Sequence, residues 1–296
     1  IFLQGSGSNY GAVLLNKQLT IMGPGYFLNQ NVETQANAAA AKIEYLNCVS
    51  GSMGSIIQGL EITGTHSISG CSDLYPVWFG QICDASIDIE NTGVTLISNK
   101  IGGWTHIRNS NGTSVFKCYG GGVFCSNNIS ALSIENSIFL YGCYLHNANV
   151  KNCLFDADLS NNEAYGFSDC NVSNSILMPV SFFWDLSSTF NNNIFMSSDP
   201  LSINNGNNIP SIDPATLFVG YPVQSNYSDD GKFKLRNGSL AIGNGVGGVD
   251  IGPFGGPTPY RLSGISFHPN IWEVTMPTTG TSGGGLDIHV KVNAND

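Results

Sequence analysis

The amino-acid sequence predicts an all-β protein whose central part winds as a right-handed parallel β-helix, a solenoid in which each turn stacks on the one before. Three observations lead to this fold class. Charged residues make up only 11% of the 296 residues, far below the roughly 25% of an average soluble domain, and long solvated helices need charged outer faces. Gly, Asn and Ser, which form turns, are abundant. A strand-containing repeat recurs through the middle of the chain.

Four segments in the middle of the chain share one design, a polar Asn followed by β-prone apolar residues. They begin at Asn136, Asn152, Asn174 and Asn193, at spacings of 16, 22 and 19 residues. Short alternating runs of polar and apolar residues precede them, as in residues 132–135. Alternation with a period of two predicts a strand with one buried and one solvated face. A repeat of this length without helical periodicity indicates a solenoid.

Asparagine suits the bends between these strands because it tolerates left-handed backbone angles and can bond its own main chain. Stacked on the Asn of the next turn, each side chain would also satisfy peptide groups inside the corner. We therefore expect the repeated Asn residues to be structural rather than catalytic.

The two ends of the chain depart from the repeat. Residues 31–42 are the one stretch in which a short helix is plausible, and residues 197–239, rich in Asn, Asp, Ser and Pro, predict long loops. We assign residues 1–256 to the β-helix with irregular capping segments, and residues 257–296 to a short C-terminal β appendage that packs on the coil or extends from it. Such segments would cover the unpaired strands at the open ends of a solenoid. The appendage has predicted strands at 265–267, 271–276 and 286–292.

Composition also bounds the partners and the location of the protein. The net charge of −10 and the pI of about 4.7 argue against nucleic acid as a partner, because binding it requires many Lys and Arg. No apolar run reaches the roughly 18 residues of a membrane span. We expect a monomer that is secreted or displayed at the cell surface, with secretion inferred from composition and not from a targeting signal.

The cysteines do not show the spacing of a metal site. Several lie inside apolar strand-like runs, and the chain is larger than the small domains that depend on disulfides. We expect mostly buried, unbridged thiols that act as small hydrophobes, with one or more disulfides as the alternative. The eight residues are Cys48, Cys71, Cys83, Cys118, Cys125, Cys143, Cys153 and Cys170.

The glycine turn at residues 23–26, the Asn-based bends and the closing segment at 239–254 together resemble bacterial extracellular right-handed β-helix proteins of the pectin-lyase-like superfamily. The similarity covers roughly residues 1–256. That superfamily includes lyases, hydrolases, epimerases and adhesins, so the resemblance implies the fold and not an activity. The His-Gly and Arg-x-Lys elements of polygalacturonase-like hydrolases do not occur in the sequence, and the adjacent acids Asp229 and Asp230 fit a turn.

Residues 100–151 form a net positive segment in an otherwise acidic chain, with Glu135 as their single acid. In the strand at 104–108, alternation sends the Trp, His and Arg side chains to one face, opposite Ile107. Aromatic rings that stack on a sugar, beside cations that hold its carboxylate, would bind an acidic extracellular polysaccharide. A solvated face is the alternative. The candidate carbohydrate-binding residues, all expected to point outward, are Trp104, His106, Arg108, Lys117, Tyr119, Tyr144 and His146.

A second candidate site is the acidic stretch that contains Asp156, Asp158 and Glu163 and is followed by Asp169. Clustered oxygen ligands suit Ca²⁺, the one cofactor the sequence suggests, although the spacing lacks the glycine and the terminal ligand of an EF-hand loop. The same carboxylates could act as general acid and base, and a solvated turn is the third interpretation.

Two functions from different classes remain open. The first is a non-catalytic solenoid that binds carbohydrate or is displayed at the surface, which the missing catalytic signatures, the three arginines and the long polar flank favour. The second is a polysaccharide lyase or glycoside hydrolase that acts on an acidic glycan, with Asp156, Asp158 and Arg108 as its catalytic groups. An enzyme needs a cleft in which acid, base and cation reach one sugar, whereas a display protein needs only a flat face.

Overall fold

The described residues form a parallel β-solenoid followed by a two-stranded antiparallel sheet, which confirms the predicted fold class. The helix predicted over 31–42 is wrong for the described residues 34–42, which contain no helix and end in a strand that begins at Lys42. The computed structural model describes residues 1–31, 34–68, 84–126, 128–156, 165–178, 183–184, 187–197, 206–221, 226–265, 269–280 and 282–293.

The strands of the solenoid lie on three faces, which we call A, B and C. Face A is a sheet of eight parallel strands, β2 (Thr20–Met22), β5 (Ile56–Gln58), β9 (Thr95–Ile97), β11 (Ser114–Phe116), β13 (Leu132–Glu135), β16 (Ala148–Lys151), β19 (Asn171–Ser173) and β22 (Thr189–Asn191). Face B contains short strands, β3 (Lys42–Ile43), β6 (Glu61–Ile62), β14 (Ile138–Phe139), β17 (Leu154–Phe155), β20 (Ile176–Leu177) and β23 (Ile194–Phe195).

Face C contains β1 (Val13–Leu15), β4 (Leu46–Cys48), β8 (Asp84–Glu90), β15 (Cys143–His146), β18 (Tyr165–Ser168) and β21 (Phe183–Trp184). The two longest neighbouring strands, β10 (Lys100–Arg108) and β12 (Tyr119–Cys125), extend across faces B and C. A short strand, β7 (His66–Ser67), pairs antiparallel with β8. The C-terminal sheet consists of β24 (Asn270–Thr275) and β25 (His289–Asn293). Described 3-10 turns lie at Pro214–Thr216, Gly231–Phe233, Val246–Gly248 and Leu262–Gly264.

The core is built from registered rows of inward-facing side chains. On face A the row consists of buried aliphatic residues and one phenylalanine, while their neighbours along each strand face solvent at least in part. This is the alternation that the sequence predicts for residues 132–135, repeated in six successive strands of face A. The row comprises Leu96, Val115, Ile134, Val150, Val172 and Phe190.

The bends between faces A and B adopt the left-handed backbone that the Asn repeat predicts. Asn193 lies inside its corner, accepts a hydrogen bond from the Ser175 amide at 2.8 Å and donates to the Val172 carbonyl at 3.0 Å. Asn99 satisfies two peptide groups in the same way, which confirms the expected structural role. The left-handed residues of the four repeats are Asn136, Asn152, Asn174 and Asn192, so the last one precedes Asn193 by one position.

Asn193 meets the Asn of the following turn as expected, since its Nδ2 atom donates to Asn208 Oδ1 at 3.1 Å. The side chains of the left-handed corner residues instead bind a later part of the chain. Asn192 donates to the Asn244 carbonyl at 2.9 Å, and Asn152 donates to the Asp250 carbonyl at 3.1 Å. Asn136 donates to the carbonyls of residues 253 and 255 at 2.9 and 2.8 Å. Residues 244–264, which we call the return segment, therefore run back along the corners of successive turns.

The return segment and the residues before it cover the outer surface of face B. An outward row of apolar side chains there is buried in a second hydrophobic cluster with Phe218, Phe233 and Ile251. Tyr260 and Ser263, which the predicted boundary at residue 256 places in the appendage, are buried in or beside this layer. The loops predicted after residue 197 thus contribute a packed layer along one flank of the coil. The covered row is Tyr119, Ile138, Leu154, Ile176 and Ile194.

Candidate functional site

A registered row of polar and aromatic side chains points outward from face C. Its direction follows from the strands, because the alternate residues of each strand lie in the main hydrophobic core. Its last three members lie within the segment in which the sequence predicts a carbohydrate-binding face. In order of turns, its members are Asn47, Asp88, His106, Phe124 and Tyr144.

Arg108 is held by two carboxylates of the neighbouring turn. Its Nε and Nη2 atoms donate to the two carboxylate oxygens of Asp88 at 3.0 and 2.6 Å, and Nη2 also lies 3.1 Å from Glu90 Oε2. The side chains of Arg108 and Asp88 are only 11% and 4% exposed. Such a bidentate, charge-assisted pair fixes the guanidinium in place. Arg108 points outward as the sequence predicts, but its predicted solvent exposure is wrong, since Nε and Nη2 donate to acids of the same face.

His106 is fully buried although its strand position directs it outward. Burial, followed by the charge of Arg108 and the presence of His66, lowers the pKa of His106 to about 3. The imidazole is therefore neutral at physiological pH and cannot contribute the positive charge that an acidic-glycan site would use. Alternation gives the direction of a side chain but not whether another part of the chain covers it, which is why the expected exposure is wrong.

The rings of the face C row stack on one another along the solenoid axis. The centroids of His106 and Phe124 are 5.5 Å apart, and those of Phe124 and Tyr144 are also 5.5 Å apart with nearly parallel planes. The far side of Tyr144 lies against the backbone of Gly166, where a Cβ atom would collide with the ring. Both faces of Tyr144 thus contact protein, so this ring cannot stack on a sugar in the predicted way. Trp104, half-buried, lies in the same manner over Gly122.

Two predicted residues, Lys117 and Tyr119, lie away from this row and are buried, which corrects their expected exposure. Lys117 occupies a left-handed corner beside the return segment, and burial followed by the charge of Arg261 lowers its pKa to about 8. Tyr119 belongs to face B, where it packs against Phe27 and donates to the Asp229 carbonyl at 3.3 Å. Burial and the nearby acids raise the pKa of Tyr119. The structure brings together Trp104, His106, Arg108 and Tyr144, but not these two.

His146 lies at the end of face C and is partly buried. Its Nδ1 atom is 3.7 Å from Asp169 Oδ2, too far for a hydrogen bond. Of the three acids of the predicted calcium site, Asp156 is described, whereas Asp158 and Glu163 lie outside the described residues. Among the residues that the structure describes, no group of three or more His, Cys, Asp or Glu side chains could hold a metal ion.

Asp88 and Glu90 are the site residues that the sequence analysis missed. They occupy alternate positions in β8, a strand in which Ile87 and Ile89 point into the core. That alternation of acidic and aliphatic residues was the available signal, since it places both carboxylates on one outer face. What could not be read from it is that the register brings them beside Arg108.

The acids Asp229 and Asp230 form a turn, as predicted. The Asp230 carboxylate is fully buried and accepts hydrogen bonds from Ser228 Oγ at 2.8 Å, the Ser263 amide at 2.7 Å and the Tyr260 hydroxyl at 3.1 Å. The Tyr260 hydroxyl also lies 2.7 Å from that of Tyr26. This network ties the return segment to the first turns of the coil, so its role is structural.

The described cysteines are buried and form no disulfide, as the sequence predicts. Burial raises the pKa of the Cys48, Cys118 and Cys153 thiols to about 12. Thiols with such pKa values are protonated at neutral pH and are poor nucleophiles or metal ligands. They serve as core hydrophobes and not as reactive groups. Cys71 and Cys83 lie outside the described residues.

Within the described residues, no helix is long and apolar enough to cross a membrane. The candidate site is a partly buried row of ion-paired and aromatic side chains on face C, beside the polar surface of face A. No protein-family model matches the chain, and no curated protein matches its sequence.

Proposed function

We propose that this protein is a secreted or surface-displayed solenoid that binds carbohydrate without catalysis. The observation that carries the proposal is the state of Arg108, the cation that a lyase acting on an acidic glycan would use as a base or carboxylate clamp. Its Nε and Nη2 atoms donate to Asp88 and Glu90, and its side chain is 11% exposed. An arginine held in this way stabilises the face and does not reach a substrate.

The surface that favours binding is the outer side of face A. A registered row of hydroxyl and amide side chains follows the solenoid axis there, and Asn149, Asn171 and Thr189 at its far end are exposed. Asn171 Nδ2 donates to Asn149 Oδ1 at 3.2 Å, which orders the row. Hydroxyls and amides both donate and accept hydrogen bonds, as sugar hydroxyls do. The full row is Thr95, Ser114, Ser133, Asn149, Asn171 and Thr189.

The proposal is tested by incubating the purified protein with a panel of acidic and neutral polysaccharides. Reducing ends and absorbance at about 235 nm report cleavage, and pull-down on insoluble or immobilised glycan reports binding. We expect binding without product. Replacing Asn149 and Asn171 together by Ala should weaken binding about tenfold, the equivalent of about 1.4 kcal/mol, whereas Asn16→Ala, at an exposed position off this face, should not.

The opposite outcome is equally specific. Unsaturated product released by the wild-type protein would establish a polysaccharide lyase and refute the non-catalytic proposal. We also propose that binding needs no cofactor, so a chelator should leave it unchanged. Loss of binding on chelation, restored by Ca²⁺, would instead direct attention to Asp156, Asp158 and Glu163.

A further inference from the structure

A cleft of about 550 Å³ opens at the N-terminal end of the solenoid, beyond the last residue of β2. Its floor is the turn at residues 22–24, and one wall is the first segment of the chain, residues 2–5. Gln35, Asn37 and Ile271 at the beginning of β24 also line it. This volume lies within the roughly 300–1,000 Å³ of small-molecule sites in proteins.

Hydrogen bonds between distant segments hold these walls in place. The Leu3 amide donates to the Met22 carbonyl at 2.8 Å, and Asn37 Nδ2 donates to the Gly5 carbonyl at 3.2 Å. The Ala36 amide donates to the Ile271 carbonyl at 2.9 Å, which ties the C-terminal sheet to the cleft. Gly5 is required at its position because a Cβ atom would collide with the carbonyl of residue 39. The cleft is therefore formed before any ligand arrives.

The described lining carries no charged side chain, in a protein with a net charge of −10. It combines apolar groups from Leu3, Met22 and Ile271 with the amide side chains of Gln4 and Gln35. Amides donate and accept hydrogen bonds, and apolar groups suit the C–H faces of a sugar ring. A ligand with a carboxylate would find no cation here. The chemistry favours a neutral, hydroxyl-rich molecule with apolar faces.

Phe2 is the residue that gives this cleft the character of a recognition site. Its side chain is 79% exposed although it lines the cleft, so a large aromatic ring is left in water at the mouth. An aromatic ring beside amide donors and acceptors is an arrangement that can cover one face of a sugar while polar groups hold its edge.

We propose that this cleft is a binding site for a neutral saccharide, of roughly one or two sugar rings given its volume. The inference rests on the proposed carbohydrate-binding function, but it concerns a separate surface and a different ligand class from the acidic glycan that the sequence suggests. Phe2 stacks on the sugar, and Gln4 and Gln35 hydrogen-bond its hydroxyls.

The test is a titration of the intact protein with neutral oligosaccharides built from glucose, mannose, xylose or N-acetylglucosamine, followed by calorimetry or by NMR, with an oligogalacturonide for comparison. At least one neutral oligosaccharide should bind, with an affinity that changes less than twofold when NaCl is raised to about 0.5 M, because no charge is involved. Phe2→Ala should weaken binding at least tenfold. Leu14→Ala, at another exposed apolar residue outside the cleft, is the matched control and should change affinity less than twofold.

Because Phe2 is exposed, its replacement should leave the unfolding midpoint unchanged, and that measurement separates lost binding from lost folding. If saccharides bind to the wild type but Phe2→Ala and Gln35→Ala bind equally well, the cleft proposal is wrong while the carbohydrate-binding function stands. If only the oligogalacturonide binds, the cleft proposal is likewise wrong. If no saccharide of either class binds, the proposed function fails together with it.

Discussion

Replacing Arg108 by Met should strongly destabilise the protein, because it leaves the Asp88 carboxylate buried without its partner. The two side chains form a bidentate pair at 3.0 and 2.6 Å, and the Asp88 side chain is only 4% exposed. Removing one member of a buried ion pair costs about 3–5 kcal/mol. Because Met fills much of the space of the Arg stem, the loss of unfolding free energy reflects the missing charge and not a cavity.

The assay is equilibrium unfolding in urea, followed by near-ultraviolet circular dichroism. With a slope of about 2–3 kcal/mol/M, the expected loss moves the midpoint down by roughly 1–2 M. Asp88→Asn combined with Arg108→Met should recover at least about half of that loss, because the unpaired charge is gone.

A matched control exists in the exposed pair of Lys291 and Glu273, whose 2.7 Å separation is close to that of the buried pair. Its side chains are 56% and 40% exposed, so Lys291→Met should cost less than about 1 kcal/mol. If Arg108→Met proved as stable as Lys291→Met, the argument that Arg108 is a structural residue would be refuted, and its role in a catalytic site would have to be considered again.

Three further predictions concern the corners and the buried titratable groups. Asn152→Ala should lower the free energy of unfolding by about 2–4 kcal/mol, since it removes two hydrogen bonds to the return segment and places Ala at a φ of 51°. Asn152→Gly should recover about 1 kcal/mol of this loss in urea unfolding, because glycine adopts that backbone angle without strain. The pKa of Lys117 is lowered from 10.5 to about 8 in the folded protein, so the unfolded chain binds more protons between those two pH values. The contribution of Lys117 therefore makes the free energy of unfolding rise from about pH 8 to 10.5. Lys117→Met should remove this rise from unfolding midpoints measured across the same pH range. The pKa of His106 is lowered to about 3, so its ¹⁵N shifts should stay those of a neutral imidazole between about pH 5 and 7, and an imidazolium signal there would contradict its burial.

The parts of the fold that the sequence predicted are those that local chemistry controls. Alternation in residues 132–135 sets which side chains enter the core, because successive residues of a strand point to opposite faces. Left-handed corners at Asn136 and Asn152 follow from the conformational tolerance of Asn. The burial of the cysteines was predicted in the same way, from the apolar residues next to them in the sequence.

The site was predicted only in part, because the burial of an outward-pointing side chain depends on residues far away in the chain that pack over it. His106 and Arg108 do lie on the outward side of face C, as alternation predicts, yet both are buried. Tyr119 packs beneath a layer whose contact at Asp229 lies 110 positions later. Neither the composition of residues 100–151 nor the alternation along their strands indicates which distant residues will cover them.

By itself, the sequence determined an all-β solenoid with Asn corners, an apolar interior and a cluster of aromatic and basic residues around the strand at 104–108. Only the tertiary structure decided that the return segment binds those corners, that Asp88 and Glu90 neutralise Arg108, and that residues 2–5 meet β24 to form a cleft. The physical reason is that strand direction and turn conformation are set by neighbouring residues. Burial, ion pairing and clefts are set instead by contacts between segments that the stacking of turns brings together.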